Sequence, residues 1–284
     1  MISATIFADS RNQSWNRITT FRLEYPRWIH AEIMTHRVFS RNAASSRAIP
    51  IERMIQSVLV NPAEPVEWGT NKPGMQAGAP LGREETIVAR AAWQRAAQAA
   101  ADHARTLLAL GVHKQIANRL LEPFAHMTTL VTATEWDNFF SLRAHPDAQP
   151  EFQELAYTML DAYLSSGPAD LAPGEWHIPF GDMMPDGLTD EDRLKIATAR
   201  CARTSYLTFD GQIVVEKDIP LHDRLASAGH WSPFEHSACA LESDTWSGNF
   251  RGFRQYRKQF AGENRRADLH QIAASRQRRT SHAA

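Results

Sequence analysis

Near the amino end, "ISATIFA" and "RITTFRLEY" alternate apolar and polar positions and are rich in β-branched residues. The turn-forming stretch "DSRNQSWN" lies between them. A period of two broken by a turn predicts a β-hairpin. After Pro26 the spacing lengthens. In "PRWIHAEIMTHRVF", Trp28, Ile29, Ile33 and Met34 share one side of a 3.6-residue period, and proline suits a first helical turn. A helix is therefore predicted over 26–39. Residues 60–83 are rich in proline and glycine and carry no period, as in a lid or binding loop. An alanine-rich helix is predicted from Glu84 to Gly111, with shorter ones near 113–122 and 149–165.

The proline-bearing stretch 167–187 reads as a linker between a half spanning 1–166 and a half spanning 188–284. "TDEDRLKIATARCARTSY" has a helical period behind a capping Thr189. "DGQIVVEKDI" reads as a turn and strand or an extended connection, "IPLHDRLASAGH" as a helix and "HSACALESDT" as a strand. "SGNFRGFRQYRKQF" reads as a further helix, and the basic tail "ASRQRRTSHAA" as solvated chain. Together these predict an α+β fold: mixed helices with a small antiparallel sheet, forming one compact unit.

Composition narrows the choices. The chain has 284 residues, of which 43% are hydrophobic and 22% charged, with a formal net charge of −1. That balance is globular, and it argues against bulk nucleic-acid binding while leaving room for a local basic patch. Cys201 and Cys239 are too few for a disulfide framework or a four-thiolate site. They fit a reducing cytosol, so a cytoplasmic location is expected. No apolar run approaches the roughly 18 residues of a membrane span, and the first residues do not look like a secretion signal. No glycine-rich phosphate motif occurs, so side chains must hold the phosphates of any bound nucleotide.

"THRVFSRNAASSRAIP" (35–50) is the segment with the most unusual chemistry. Between His36 and Arg47 it carries three arginines, a histidine, an asparagine and three serines, with no acid. If helical, it stacks His36 over Ser40 and Arg37 over Arg41. Such a run is commonly just a solvated basic surface, yet cations interleaved with hydroxyls also make an anion site, above all for phosphate. Four other stretches share this character: "ARCARTSY" (199–206), "HWSPFEH" (230–236), "WDNFFSLRAHPDAQPEF" (136–152) and "WGTNKPGMQ" (68–76). His230 and His236 stand six apart across a proline with no nearby thiolate, so no metal site is expected.

These segments together resemble the flavin-dependent thymidylate synthases. Residues 35–47 match six of the seven fixed positions of that family's R-H-R-x-x-S-x-N-x-x-S-x-R signature, with Thr35 departing. Ala202 to Tyr206 is similar to A-R-V-S-Y. His230 to His236 is similar to H-x-T-P-F-E-H, with Ser232 in place of threonine. Asn138 to Gln149 resembles N-F-L-x-L-R-x-x-x-x-A-Q, and Asn71 to Gly74 echoes N-K-Q-G. The order differs from the family's, because the second and third segments follow the signature instead of preceding it. The chain thus looks permuted, as in rearranged members associated with bacteriophage genomes. Residues 249–266 resemble a degenerate second copy of the signature helix, with Arg257-Lys258-Gln259 at the R-H-R position.

The resemblance implies reductive methylation of dUMP to thymidylate. FAD would be the bound cofactor, with methylenetetrahydrofolate and NADPH as co-substrates, in a homotetramer whose sites lie between subunits. It implies that Ser40, Asn42, Ser45, Arg47 and Arg143 bind the nucleotide. His36, Arg37, Asn138, Ser205, His230, Ser232 and Glu235 would bind the flavin, and Arg143, Ser45 and His36 would stand closest to the chemistry. Thr35 and Ala43 depart from the family, and Lys258 or Glu263 is expected to compensate. Two alternatives stay open: a flavoenzyme that leaves a hydroxymethyl group on the pyrimidine, and a nucleic-acid-binding module that uses basic helices at 35–47 and 251–266.

Overall fold

The predicted hairpin forms the centre of the molecule. The computed structural model describes residues 2–204 and 215–274. In chain order the strands are β1 (Ser3–Asn12), β2 (Arg17–Pro26), β3 (Ser40–Ala43), β4 (His126–Ala133), β5 (Ala169–Leu171), β6 (Trp176–His177), β7 (Ala238–Ala240), β8 (Trp246–Ser247), β9 (Phe250–Arg251) and β10 (Phe253–Gln255). The helices are α1 (His30–Ile33), α2 (Ile51–Val60), α3 (Arg83–Ala109), α4 (Lys114–Ala117), α5 (Asp137–Arg143), α6 (Pro150–Ser165), α7 (Asp190–Ala202), α8 (Val215–Ser227) and α9 (Leu269–Ala274).

The main sheet runs β3-β4-β2-β1-β5, antiparallel except for the β1–β5 pair. Residues facing each other across strands share a face. Phe21, Leu23, Tyr25, Met127, Val131 and Ala133 meet α5 and α6 through Trp136, Phe139, Phe152, Leu155 and Met159. On the opposite face Leu130 and Phe7 pack under Phe180, Ile196, Ala197 and Cys201, so α7 covers that side. A smaller sheet, β10-β7-β6, and the turn Ser232–Glu235 complete this second layer. Helices α2 and α3 form their own apolar cluster, in which Ile51, Met54, Ile55 and Val58 pack on Ala97, Ala101 and Ala104. The fold is α+β, as the pattern of the chain predicts.

Several predicted elements differ. The expected helix over 26–39 is one turn of 3-10 helix at Arg27–Ile29 and the four-residue α1, after which the chain enters β3. His36 and Ser40 therefore do not stack, nor do Arg37 and Arg41. The competing force is the sheet edge: Ser40–Ala43 pairs with β4 from Thr132 to Thr129 and supplies its outer hydrogen bonds. The expected helix over 247–260 is instead strands β8 to β10 and a 3-10 turn, Tyr256–Gln259. Gly248 and Gly252 adopt φ of 70° and 71°, which an L-residue resists. A Cβ on Gly252 would also come within 2.5 Å of the Asn12 and Asn16 amide nitrogens.

The stretch 167–187, expected as a linker, carries β5 and β6, which pair with β1 and β7. Val215 to Ile219, expected as extended, opens α8. Ser205 and the tail from 275 lie outside the described residues. No described helix is long and apolar enough to cross a membrane.

Candidate functional site

Once the signature segment is a strand, its arginines have new work. Arg41 donates to the carbonyls of Ile33 (3.1 Å) and His36 (3.2 Å), closing the end of α1. Burial lowers the basicity of its guanidinium, and the charge of Glu235 opposes that effect. Ser40 lies on the face toward the second half and is 1% exposed. Its hydroxyl accepts from Gln255 Nε2 (3.0 Å) and Asn249 Nδ2 (3.1 Å), and Asn249 also donates to the Val38 carbonyl (2.8 Å). Ser40, expected at the nucleotide, anchors β3 to β10. Asn249 and Gln255 are not marked in the sequence, because the buried Phe250, Phe253 and Tyr256 recur every three residues and imitate a helical period.

His36 and Arg143 meet although 107 positions separate them. Arg143, in the last turn of α5, donates from Nε to His36 Nε2 (3.1 Å). It also pairs with Glu32 (3.2 Å), donates to Thr35 Oγ1 (3.4 Å) and lies 4.5 Å over the Phe152 ring. The His36 imidazole stacks on Phe39 and meets the Phe139 ring edge-on. Burial, with help from Arg143 and Arg41, pushes its pKa down to about 4. A neutral ring leaves Nε2 free to accept, which fits the bond it takes from Arg143. Thr35 has a reason as well: an arginine there would bring a second cation against Arg143.

The second half contributes the turn Ser232–Glu235. Glu235 is ion-paired with Arg257, Arg257 with Glu263 (3.0 Å), and Glu263 with Lys258 (2.7 Å). Lys258 and Glu263, expected to compensate for Thr35 and Ala43, are committed to this network. The Asn42 amide lies 3.1 Å from His236 Nε2 and 3.2 Å from the Ser232 carbonyl, and these acceptors assign its nitrogen to that side as the donor. Strand β3 and the Ser232–His236 segment are therefore joined directly.

Most other expected residues stand apart from these contacts, and Ser232 enters them only through its carbonyl. Arg37, Arg47, Asn138, His230 and Ser232 are exposed, and Ser45 is half-buried with its carbonyl accepting from Ala48 (2.9 Å). The "ARCARTSY" cations are structural: buried Arg200 pairs with Asp218 (3.1 Å), and Arg203 donates to the Lys217 carbonyl (3.0 Å). Both cysteines are buried, and burial raises their pKa, which disfavours a thiolate nucleophile. Among the described residues, no three His, Cys, Asp or Glu side chains gather as a metal site would need. A cleft of about 420 Å³ beside His126 and Glu154 and one of about 440 Å³ beside Trp176 and Tyr256 are lined by none of the expected site residues.

Solved structures similar to this chain include a UMP/dUMP methylase, PolB, from Streptomyces cacaoi, bound with 5-Br UMP in one crystal structure and with 5-Br dUMP in another. Each aligns at 19% identity with a TM-score of 0.45, over 57% of this chain and 88% or 90% of the other. No curated protein matches the chain. The family model described as thymidylate synthase complementing protein matches residues 17–168. That span runs from β2 past α6; it includes His36, Arg47 and Arg143 and ends before the Ser232–His236 segment. Since the match covers more than half of the sequence, the chain belongs to the thymidylate synthase complementing protein family.

Proposed function

We propose that this chain reductively methylates dUMP to thymidylate, with FAD as the bound cofactor, methylenetetrahydrofolate as carbon donor and NADPH as reductant. The observation that carries the reading is the meeting of the signature strand with the Ser232–His236 segment, through Asn42 and His236, 194 positions apart. Membership of the family supports it.

The donor set suits the cofactor and the nucleotide. Exposed Arg37 and Arg47, with hydroxyls at Ser45 and Ser232, offer cations and donors to phosphate oxygens. Glu235 is neutralised by Arg257, so it does not repel them. We assign Arg47, Arg143 and Ser45 to the nucleotide, and Arg37, Asn138, His230, Ser232 and Glu235 to the flavin, with Ser205 expected beside them. When bound, the flavin supplies the hydride that reduces the pyrimidine product. His36 holds Arg143 in a fixed fork; Ser40 and Asn42 fix the strand from behind. The exposure of Arg37, Arg47, Asn138 and His230 within one chain fits sites that close between subunits of a homotetramer.

The nucleic-acid reading loses its basis. Residues 35–47 and 251–266 are not basic helices, and Arg251, Arg257 and Lys258 are each paired with an acid. The test uses the full chain with dUMP, methylenetetrahydrofolate and NADPH. The expected result is a yellow protein that yields a nucleotide with the mass of thymidylate. A product heavier by one oxygen supports hydroxymethylation. A colourless protein that leaves dUMP intact overturns the proposal.

A further inference from the structure

A line of polar side chains crosses the face of the main sheet that the second half covers. Ser10 on β1, Thr20 on β2, Thr132 on β4 and Asn42 on β3 each contribute one side chain. Two histidines from the covering layer bridge them. Ser10 Oγ lies 2.9 Å from His177 Nδ1, and His177 Nε2 lies 2.9 Å from Thr20 Oγ1. Thr20 and Thr132, directly opposed in the register, are 2.7 Å apart through their hydroxyls. Thr132 Oγ1 lies 2.8 Å from His236 Nδ1, and His236 Nε2 lies 3.1 Å from the Asn42 amide. Thr20, Thr132, His177 and His236 are all 0% exposed.

Asn42 sets the sense of the whole line. Its amide lies within 3.2 Å of His236 Nε2, the Ser232 carbonyl and the Arg41 carbonyl; the two carbonyls can only accept, which assigns the amide nitrogen to that side. An acceptor at His236 Nε2 places that ring's proton on Nδ1, which then donates to Thr132. Thr132 donates to Thr20, Thr20 donates to His177 Nε2, and His177 donates from Nδ1 to Ser10. Each hydroxyl in the middle gives one hydrogen bond and takes one. The reverse sense would press the Asn42 oxygen against two carbonyl oxygens. Two tautomers, two hydroxyl rotors and one amide are thus a single linked choice.

We propose that His236, and His177 acting through Thr20 and Thr132, are positioning residues for the site assigned above. The line holds Asn42 with its nitrogen inward, and this ties the Ser232–Glu235 turn to β3 at one fixed offset. That offset sets where Ser232 and Glu235 stand relative to Arg41 and the signature loop. The role in binding rests on the proposed function; the line itself does not.

The test uses full-length protein labelled with 15N at histidine and asparagine, with Thr20→Val and Thr20→Ser as variants. In the unsubstituted protein, two slowly exchanging imidazoles with the proton on Nδ1 and a protected Asn42 side-chain amide are expected. Thr20→Val removes the middle link without changing side-chain shape. It is expected to disturb the Asn42 amide signal and to raise the KM for dUMP about tenfold, the scale of one lost charge-free hydrogen bond. Thr20→Ser is expected to restore both to within about twofold. A proton on His236 Nε2 in the unsubstituted protein overturns the proposal without any variant. So does a folded Thr20→Val protein with lower Tm but an unchanged Asn42 amide signal and, where the enzyme is active, an unchanged KM for dUMP. If the unsubstituted protein never turns over dUMP, the functional reading fails, while the tautomers and the Asn42 signal still decide the line.

Discussion

The two faces of the main sheet are built on different physical principles. The face toward α5 and α6 is apolar: Phe21, Leu23 and Val131 meet Trp136, Phe139 and Leu155, and ring contacts such as Phe21–Trp136 at 5.1 Å fill the space. The face toward the second half mixes Leu130 and Phe7 with Ser10, Thr20 and Thr132, whose partners are His177 and His236. Apolar burial scales with area and tolerates small slips. A buried hydroxyl or imidazole tolerates none, because losing its partner costs about 1–3 kcal/mol. One face therefore supplies stability, and the other specifies how the second half sits on the first.

Substitutions should separate the two roles. Phe21→Ala is expected to lower unfolding free energy by about 3–5 kcal/mol, read from urea denaturation, with turnover per folded molecule little changed. A large loss of turnover in the fraction still folded would mean that the apolar face also positions the site.

Acid should act through the buried histidines, His177 and His236 on the polar face and His36 beside Phe39, Phe139 and Phe152. Burial pushes His177 and His236 down to about 3, and His36 to about 4, from an ordinary value of 6.5. These folded values lie below the unfolded ones, so the unfolded chain binds more protons between about pH 3 and 6.5. The stability from keeping these rings neutral is complete above about pH 6.5 and is lost as pH falls through that window. Each ring adds up to about 1.4 kcal/mol per pH unit to the slope. Urea midpoints measured from pH 7 to 5 should fall, and His177→Phe should flatten the decline. A stability independent of pH over that range contradicts neutral buried rings.

The smallest effect is expected where the second layer meets solvent. Arg257→Ala breaks the pair with Glu235, whose side chain is 19% exposed. A stability loss of about 1 kcal/mol or less is expected. Flavin retention after gel filtration should fall more clearly than Tm, because Glu235 loses its neutralising partner. Unchanged retention would show that Glu235 stands outside the flavin site.

The hairpin β1–β2, the long α3, and helices α6 and α7 were legible because each follows one clean period. Strand β4 was not: "HMTTLVTA" is covered on both faces, so it shows no alternation. Without β4, the edge that turns residues 40–43 into a strand is invisible, and the basic run looks helical. His177 was hidden for a similar reason, in a proline-bearing stretch whose two-residue strand pairs only with distant β7. Among the residues proposed for the site, His36, Arg143 and Glu235 stand out in the sequence by their unusual local chemistry. Glu32, Asn249, Gln255 and Arg257's role toward Glu235 depend on long-range contacts that no local pattern marks.

Convergence of the two halves on one site is tested most directly by a double-mutant cycle on dUMP affinity, with Asn42→Ala in the signature strand and Glu235→Gln in the second-half turn. Coupling of about 1 kcal/mol or more between the two losses is expected, because Asn42 holds the segment that carries Glu235, whose charge acts on Arg41 beside Asn42. Losses that add to within about 0.5 kcal/mol, or no loss from either change, would contradict a shared site.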